Sequence, residues 1–299
     1  MFVKEENQRK NTVLRIFLFF FCGLFLSFIP RFVNFHASGL SLTFNSMMEH
    51  MLHGTFDVDP QIVGEEGFLR DGKVYAYWGI FPALLRLPVL IFRNGINIDI
   101  TKLSSIIAWY LILFINYKSL LCVGKYFCKK YSWLYSCFAC VIILSGVPVC
   151  FLPFSLYQEV CLWAIVFGLL YAYWALRACL DPAQTPRALL WMSASAGLAL
   201  LTRVSMGVGL YAAVSLFGLL TLWRCVGMLR KPQDKVVQQT ARVWLGSCLA
   251  GVCILVFCVG VIAYVNQQRW GDPLTFADYH LYSMNKNFPD RVARMEQYG

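Results

Sequence analysis

The chain has 299 residues, of which 59% are hydrophobic and 14% charged, against about 25% charged in soluble globular proteins. That balance excludes an ordinary soluble domain. The formal net charge of +10 comes largely from Lys and Arg at the ends of apolar stretches, which is membrane anchoring and not a nucleic-acid footprint.

A hydrocarbon core about 30 Å thick takes roughly 20 apolar residues per spanning helix. Seven stretches fit, at 13–29, 101–123, 132–151, 159–176, 188–202, 204–223 and 243–265. Backbone polar groups in lipid must be satisfied within their own segment, so each is expected to be helical. Lys4, Arg9, Lys10 and Arg15 precede or open the first stretch, and Lys118, Lys125, Lys129 and Lys130 close the second. Arg177 and Arg187 flank a later gap; Arg224, Arg230, Lys231, Lys235 and Arg242 fill the last. The positive-inside rule puts all four groups in the cytoplasm. The expectation is an all-α, polytopic transmembrane protein of about seven spans. Residues 1–12 form a cytoplasmic N-terminus, 13–265 the transmembrane domain, and 266–299 an outer, incomplete C-terminal segment. No small-residue cleavage site follows the first stretch, so it reads as a retained anchor.

Two further stretches are placed by the same rule. Residues 74–92 are apolar enough to span, but they carry Pro82, Arg86 and Pro88, and a span there would export Lys125, Lys129 and Lys130. They read as an interfacial or re-entrant element. Residues 188–223 are too long for one span at about 1.5 Å per residue, so two helices turning near Arg203 are expected. Trp133, Trp174, Trp191, Trp223, Trp244 and Trp270 fall at helix ends, where indole rings favour the membrane boundary.

The 12 cysteines lie almost entirely within or beside the apolar spans. Cys137 and Cys140 form a C-x-x-C with no second pair at zinc-site spacing, so the thiols read as small buried hydrophobes.

The chemistry is expected in the two long outer segments, the loop 30–100, which holds interfacial helices, and residues 266–299. Residues 40–53 place Leu40, Phe44, Met47, Met48 and Met51 on one helical face and Ser41, Asn45, Glu49, His50 and His53 on the other, the pattern of a helix lying flat with its apolar side in lipid. Asp57, Asp59, Glu65, Glu66, Arg70, Asp71 and Lys73 follow. All four histidines, His36, His50, His53 and His280, are expected on the outer face. His50 and His53 lack the i, i+4 spacing and intervening Glu of a zinc protease. Asp57 and Asp59, two apart and so on the same side of an extended segment, would hold a divalent cation or supply a general base, with Glu49 the next carboxylate. The metal candidates are therefore Asp57, Asp59, His50 and His53, and the alternative is a solvated polar face. No organic cofactor is expected; a divalent cation is the one cofactor these residues suit. Arg203 stands between two apolar runs, where a charge is costly without a cavity, partner or interface; it either clamps a lipid phosphate or snorkels to the membrane surface. Lys73, Arg86 and Arg269 are weaker phosphate candidates. Glu159 reads as a helix N-terminal carboxylate facing the dipole.

The run Asp71-Gly72-Lys73-Val74-Tyr75-Ala76-Tyr77-Trp78-Gly79-Ile80-Phe81-Pro82-Ala83-Leu84-Leu85-Arg86-Leu87-Pro88 resembles the segment after the first outer loop of bacterial GT-C-type glycosyltransferases, among them protein mannosyltransferases and aminoarabinose transferases. Gly197-Leu198-Ala199-Leu200-Leu201-Thr202-Arg203 and Arg269-Trp270-Gly271-Asp272-Pro273-Leu274-Thr275-Phe276 follow in matching order. The resemblance implies an inverting transfer of a sugar from a polyprenyl-phosphate carrier to an acceptor on the outer face of the bacterial inner membrane. A first-loop carboxylate would serve as base or cation ligand, and basic residues would hold the donor phosphate. Residues 30–48 contain no Asp or Glu, so the family's acidic pair has no counterpart by position. The partners implied are a polyprenyl-phosphate-linked sugar and membrane lipid, with no nucleic acid. A non-enzymatic carrier or assembly subunit binding the same lipid is the alternative. A channel or pump is disfavoured, since no span carries repeated ionisable residues.

Overall fold

The computed structural model describes residues 40–127, 155–230 and 235–287. The expected spans 13–29 and 132–151, the Cys137–Cys140 pair and His36 lie outside the described residues. The helices among them are α1 (Thr43–Leu52), α2 (Pro60–Val63), α3 (Phe81–Leu84), α4 (Leu87–Leu90), α5 (Thr101–Phe127), α6 (Leu156–Leu180), α7 (Thr185–Thr202), α8 (Val204–Leu229) and α9 (Lys235–Trp270).

Four of these, α5, α6, α8 and α9, are long and apolar enough to cross a membrane. α7 is shorter, about 27 Å at 1.5 Å per residue, and is the most enclosed: it packs against α6, α8 and α9, while α5 packs on α6. Small residues allow this closeness. A Cβ on Gly197 of α7 would come 2.5 Å from Cys258 Sγ of α9, and one on Gly251 of α9 would come 2.8 Å from Ser193 Oγ of α7, the small-residue packing expected where lipid supplies no hydrophobic drive between helices. α8 and α9 turn Leu216, Leu219, Leu220, Trp223, Leu249, Val256 and Phe257 outward. An exposed apolar belt of that size would be unstable in water and is natural against acyl chains.

A cap closes one end of the bundle. It joins residues 40–100 to the chain after α9. Strands β1 (Phe68–Arg70) and β2 (Lys73–Tyr75) pair antiparallel, with Arg70 opposite Lys73. The loop Asp71-Gly72 has φ of 51° and 76°, the left-handed pair that a two-residue hairpin turn demands and that Asp-Gly supplies. Phe68 bridges to Tyr282 and packs edge-on against Trp270 at 5.4 Å; the Ser283 amide donates to the Gly67 carbonyl at 2.9 Å. The fold is thus mostly helical, with a hairpin that an all-α expectation misses. Residues 74–92 do not span: they break into β2, a loop, α3 and α4, because Pro82 and Pro88 each fit only a first helical turn.

α1 forms where helical periodicity places it, but its apolar side does not face lipid. Phe44, Met47 and Met48 are buried in the core shared with Trp78, Ile80, Leu156, Leu200 and Ile262, each such burial contributing about 1.5–3 kcal/mol. Part of its polar side is buried too, Asn45 Nδ2 donating to the carbonyls of Ile96 and Ile98, each at 2.9 Å, while Glu49 and His50 are half-buried and His53 is exposed. The cap provides these acceptors, so α1 is an internal strut and not a membrane-lying helix.

Candidate anion-binding cavity

The helical run from 185 to 229 is interrupted at one residue. Arg203 is extended, φ −148° and ψ 111°; its amide donates to Ala199 at 2.7 Å, closing α7, and its carbonyl accepts from Met206 and Gly207 at 3.1 Å, opening α8. The break points the first turn of α8, with Val204 and Ser205, at a cavity of about 610 Å³. The Val204 and Ser205 amides, ahead of the first intrahelical bonds from Met206 and Gly207, have no intrahelical acceptor, and they carry the positive end of the helix dipole. Arg203 is exposed and its guanidinium lies beside Cys161 Sγ.

The facing wall is aromatic: Tyr77, Trp78, Tyr157, Phe276 and Tyr279. Tyr77 and Trp78 lie 4.6 Å apart and Trp78 meets Tyr157 edge-on at 5.6 Å. The Trp78–Gly79 segment is pressed onto the helix break; a Cβ on Gly79 would fall 2.2 Å from the Leu201 carbonyl oxygen and 2.5 Å from that of Thr202, so only glycine fits. Arg269, buried at the end of α9, fixes the same segment by donating from Nη1 to the Trp78 carbonyl at 2.9 Å. Behind the tyrosines sits Glu66, which accepts from Tyr282 Oη at 2.9 Å and lies close enough to the Tyr157 hydroxyl to act on it. Burial pushes the Tyr77 phenol above its ordinary range, with the Glu66 carboxylate and Tyr279 adding to the rise and Arg203 opposing it. Both charges therefore act on the Tyr77 hydroxyl. Among the described residues no Asp or Glu lines the cavity.

Of the residues singled out by sequence, Arg203 alone lines this cavity. Arg86 does not: it is fully buried, donating to both carboxylate oxygens of Glu159 (2.7 Å to Oε2), to the Pro82 carbonyl at 3.0 Å and to Thr101 Oγ1 at 3.1 Å. Its role is an internal ion pair, and Glu159 is its partner and not merely a helix-end charge. Arg269 is likewise buried, its second nitrogen 3.3 Å from Met47 Sδ. Lys73 is exposed on the hairpin.

Glu49, His50, His53, Thr55 and Asp57 line a separate shallow hollow. His50 Nδ1 approaches Asp57 Oδ1 at 3.3 Å, and His53 Nδ1 faces the Glu49 carbonyl at 2.9 Å. Partial burial acts to raise the Asp57 carboxyl, but hydrogen bonds from Thr55 and His50 outweigh it and hold it below its ordinary value. Asp59 instead caps α2, accepting from the Gln61 amide at 2.8 Å. The two aspartates thus serve different neighbours, and among the described residues no group of three His, Cys, Asp or Glu is placed to hold a metal ion. Sequence reasoning missed Tyr77, Tyr157, Tyr279 and the inner position of Glu66; the Tyr77-Trp78-Gly79 run before two prolines was the available signal. Set against known protein families, curated proteins and solved structures, the chain matches none.

Proposed function

We propose that the Arg203 cavity receives the phosphate of a polyprenyl-phosphate-linked sugar, and that the chain is a GT-C-type, inverting glycosyltransferase-like protein of the bacterial inner membrane. The observation that carries this reading is an arginine with no carboxylate partner among the described residues, set at a helix N-terminus on the wall of an aromatic cavity of about 610 Å³. Phosphate is the ligand that a guanidinium and free helix amides suit together, and aromatic faces suit a sugar ring or a prenyl chain. In this reading the seven-span topology holds, with the N-terminus inside and the cap and C-terminus of the chain outside.

The transfer would proceed by attack of an acceptor hydroxyl on the anomeric carbon. The bond to the donor phosphate breaks and the electron pair leaves with the phosphate, whose charge Arg203 and the α8 amides hold. Glu66, the carboxylate behind the tyrosine wall, takes the acceptor proton by relay, Tyr157 passing its own hydroxyl proton to Glu66 as it accepts that of the acceptor; Asp57, Asp59 and Glu49 stand at other surfaces. One observation favours the non-enzymatic alternative: Glu66 is already engaged by two tyrosines, an arrangement suited to holding a ligand without turning it over.

Purified chain in lipid, offered polyprenyl phosphate or the uncharged polyprenol, tests the reading. Wild type should prefer the phosphate, and Arg203→Ala should weaken binding by about tenfold to a hundredfold, since hydrogen bonds to charged groups contribute about 1.5–3 kcal/mol. A panel of polyprenyl-phosphate sugars then separates the two readings: turnover lost in Glu66→Gln supports the transferase, binding with no turnover supports the carrier, and equal affinity for phosphate and polyprenol refutes both.

A further inference from the structure

A second cation-lined cavity lies at the other end of the bundle. It measures about 250 Å³ and is lined by Lys118, Leu121 and Cys122 of α5, by Tyr173, Arg177 and Leu180 of α6, and by Asp181, the residue that follows α6. The spacing explains the convergence: i, i+3, i+4 on one helix faces i, i+4, i+7 on its neighbour. Cys161, beside Arg203, and Arg177 are 16 positions apart on α6, or about 24 Å along the axis. That separation approaches the roughly 30 Å hydrocarbon thickness, so the two cavities sit at opposite membrane surfaces.

We infer that the Lys118–Arg177 cavity binds the phosphate of an anionic phospholipid headgroup in the leaflet opposite the Arg203 cavity. Arg177 is held ready: Nη1 donates to Tyr173 Oη at 3.0 Å, and the guanidinium lies 5.9 and 5.8 Å from the rings of Tyr173 and Trp174. Its remaining N–H groups are available for a paired contact with phosphate oxygens. Asp181 acts on Arg177 by charge without forming an ion pair with it among the described residues, and its oxygens are turned to its own loop, Oδ1 accepting from the Ala183 amide at 3.1 Å and Oδ2 from Gln184 Nε2 at 3.4 Å; the two cations outnumber this one carboxylate. Lys118 is exposed and within 5.7 Å of the Phe114 ring, and it adds a second positive charge without a carboxylate partner among the described residues. Leu121 and Leu180 give the cavity apolar walls where acyl chains would leave the headgroup.

The same contacts would hold free phosphate, and the test distinguishes the sources. Wild type and Arg203→Ala, the latter to silence the first cavity, are delipidated in detergent and offered phosphatidylglycerol or phosphatidylcholine with the same acyl chains. Retained lipid is read by native mass spectrometry. Both proteins should keep phosphatidylglycerol in preference, and Lys118→Gln/Arg177→Gln should lower its retention by about tenfold or more. Displacement by excess inorganic phosphate would show that the phosphate group alone suffices; failure to displace would assign the site to the lipid. Equal retention of the two lipids by the Arg203→Ala protein overturns the inference, as does undiminished retention in the double variant with an unchanged melting temperature. Should the double variant misfold, the comparison of lipids on the Arg203→Ala protein still decides.

Discussion

Glu159→Gln is the substitution whose consequence the structure specifies most sharply. Arg86 and Glu159 side chains are both fully buried and paired, and they join the cap, through Arg86 between α3 and α4, to the N-terminal end of α6. Losing the carboxylate charge leaves a guanidinium with the Pro82 carbonyl, Thr101 Oγ1 and a neutral amide, at a depth where Phe44 packs 5.2 Å away. Breaking a buried pair at one end typically costs about 3–5 kcal/mol, whereas replacing both members by apolar residues of similar volume is often neutral or stabilising by about 1–4 kcal/mol. Glu159→Gln and Arg86→Met should each lower stability by several kcal/mol, and Arg86→Met/Glu159→Leu should recover most of it. Unfolding in mixed micelles with increasing denaturing detergent, read by tryptophan fluorescence, gives the double-mutant cycle. If the single variants match wild type, or the double variant loses as much as the two singles together, the pair is not the dry, mutually compensating contact described here.

Gly79→Ala should destabilise the cap by about 1–3 kcal/mol and weaken ligand binding at the Arg203 cavity, because its Cβ would meet two carbonyl oxygens of α7; calorimetry beside the polyprenyl-phosphate assay checks it, and unchanged values in both would refute the close approach. The Asp57 carboxyl, held below its ordinary value, should support folding fully above about pH 4 and lose that support as pH falls through the depressed folded value. Wild type and Asp57→Asn should therefore differ in melting temperature at neutral pH and converge in acid, and a gap that widens in acid would reverse the assigned sign. Cysteines introduced at Gly72 in the hairpin and at Ala183 between α6 and α7 should label from opposite sides of intact membranes, and labelling of both from one side would refute the bundle as a membrane-crossing unit.

What was legible in the sequence was whatever depends on apolar length and on local backbone chemistry. α5, α6 and α9 appear where hydrophobic runs place them, and the split at Arg203 follows from a run too long for one crossing. The two prolines that exclude a span at 74–92 do so by local sterics alone. The hairpin was legible as well, in Asp71-Gly72 between two short apolar-alternating segments, but it lay hidden within a run read for its family resemblance. The apolar face of α1 was readable and its environment was not: a stripe of Phe44, Met47 and Met48 is equally satisfied by lipid or by Trp78 and Ile262, and only the closed cap decides between them.

Charge is where local reading fails for a definite reason. Arg86, Arg203 and Arg269 look alike in sequence, each a lone guanidinium at the edge of an apolar run, and their roles differ only through partners far along the chain. Arg86 meets Glu159 across 73 positions, and Arg269 meets Trp78 across 191. A buried guanidinium whose hydrogen-bond partners come from within the protein has little to offer a ligand, whether a carboxylate pairs with it, as for Arg86, or none among the described residues does, as for Arg269. Arg203 is exposed on a cavity wall and keeps a charge that no carboxylate among the described residues offsets, so an external anion can reach the guanidinium at the break between α7 and α8, as it cannot reach the buried Arg269. The prediction that separates these roles is charge-neutralising substitution at constant volume. Arg269→Met should leave anion affinity changed only as far as the Trp78 segment shifts, Arg86→Met should lower stability by several kcal/mol, and Arg203→Met should weaken anion binding by about tenfold to a hundredfold in a protein of wild-type stability. If Arg203→Met instead lowered stability as Arg86→Met does, Arg203 would be a structural residue and the cavity would have no claim on an anion.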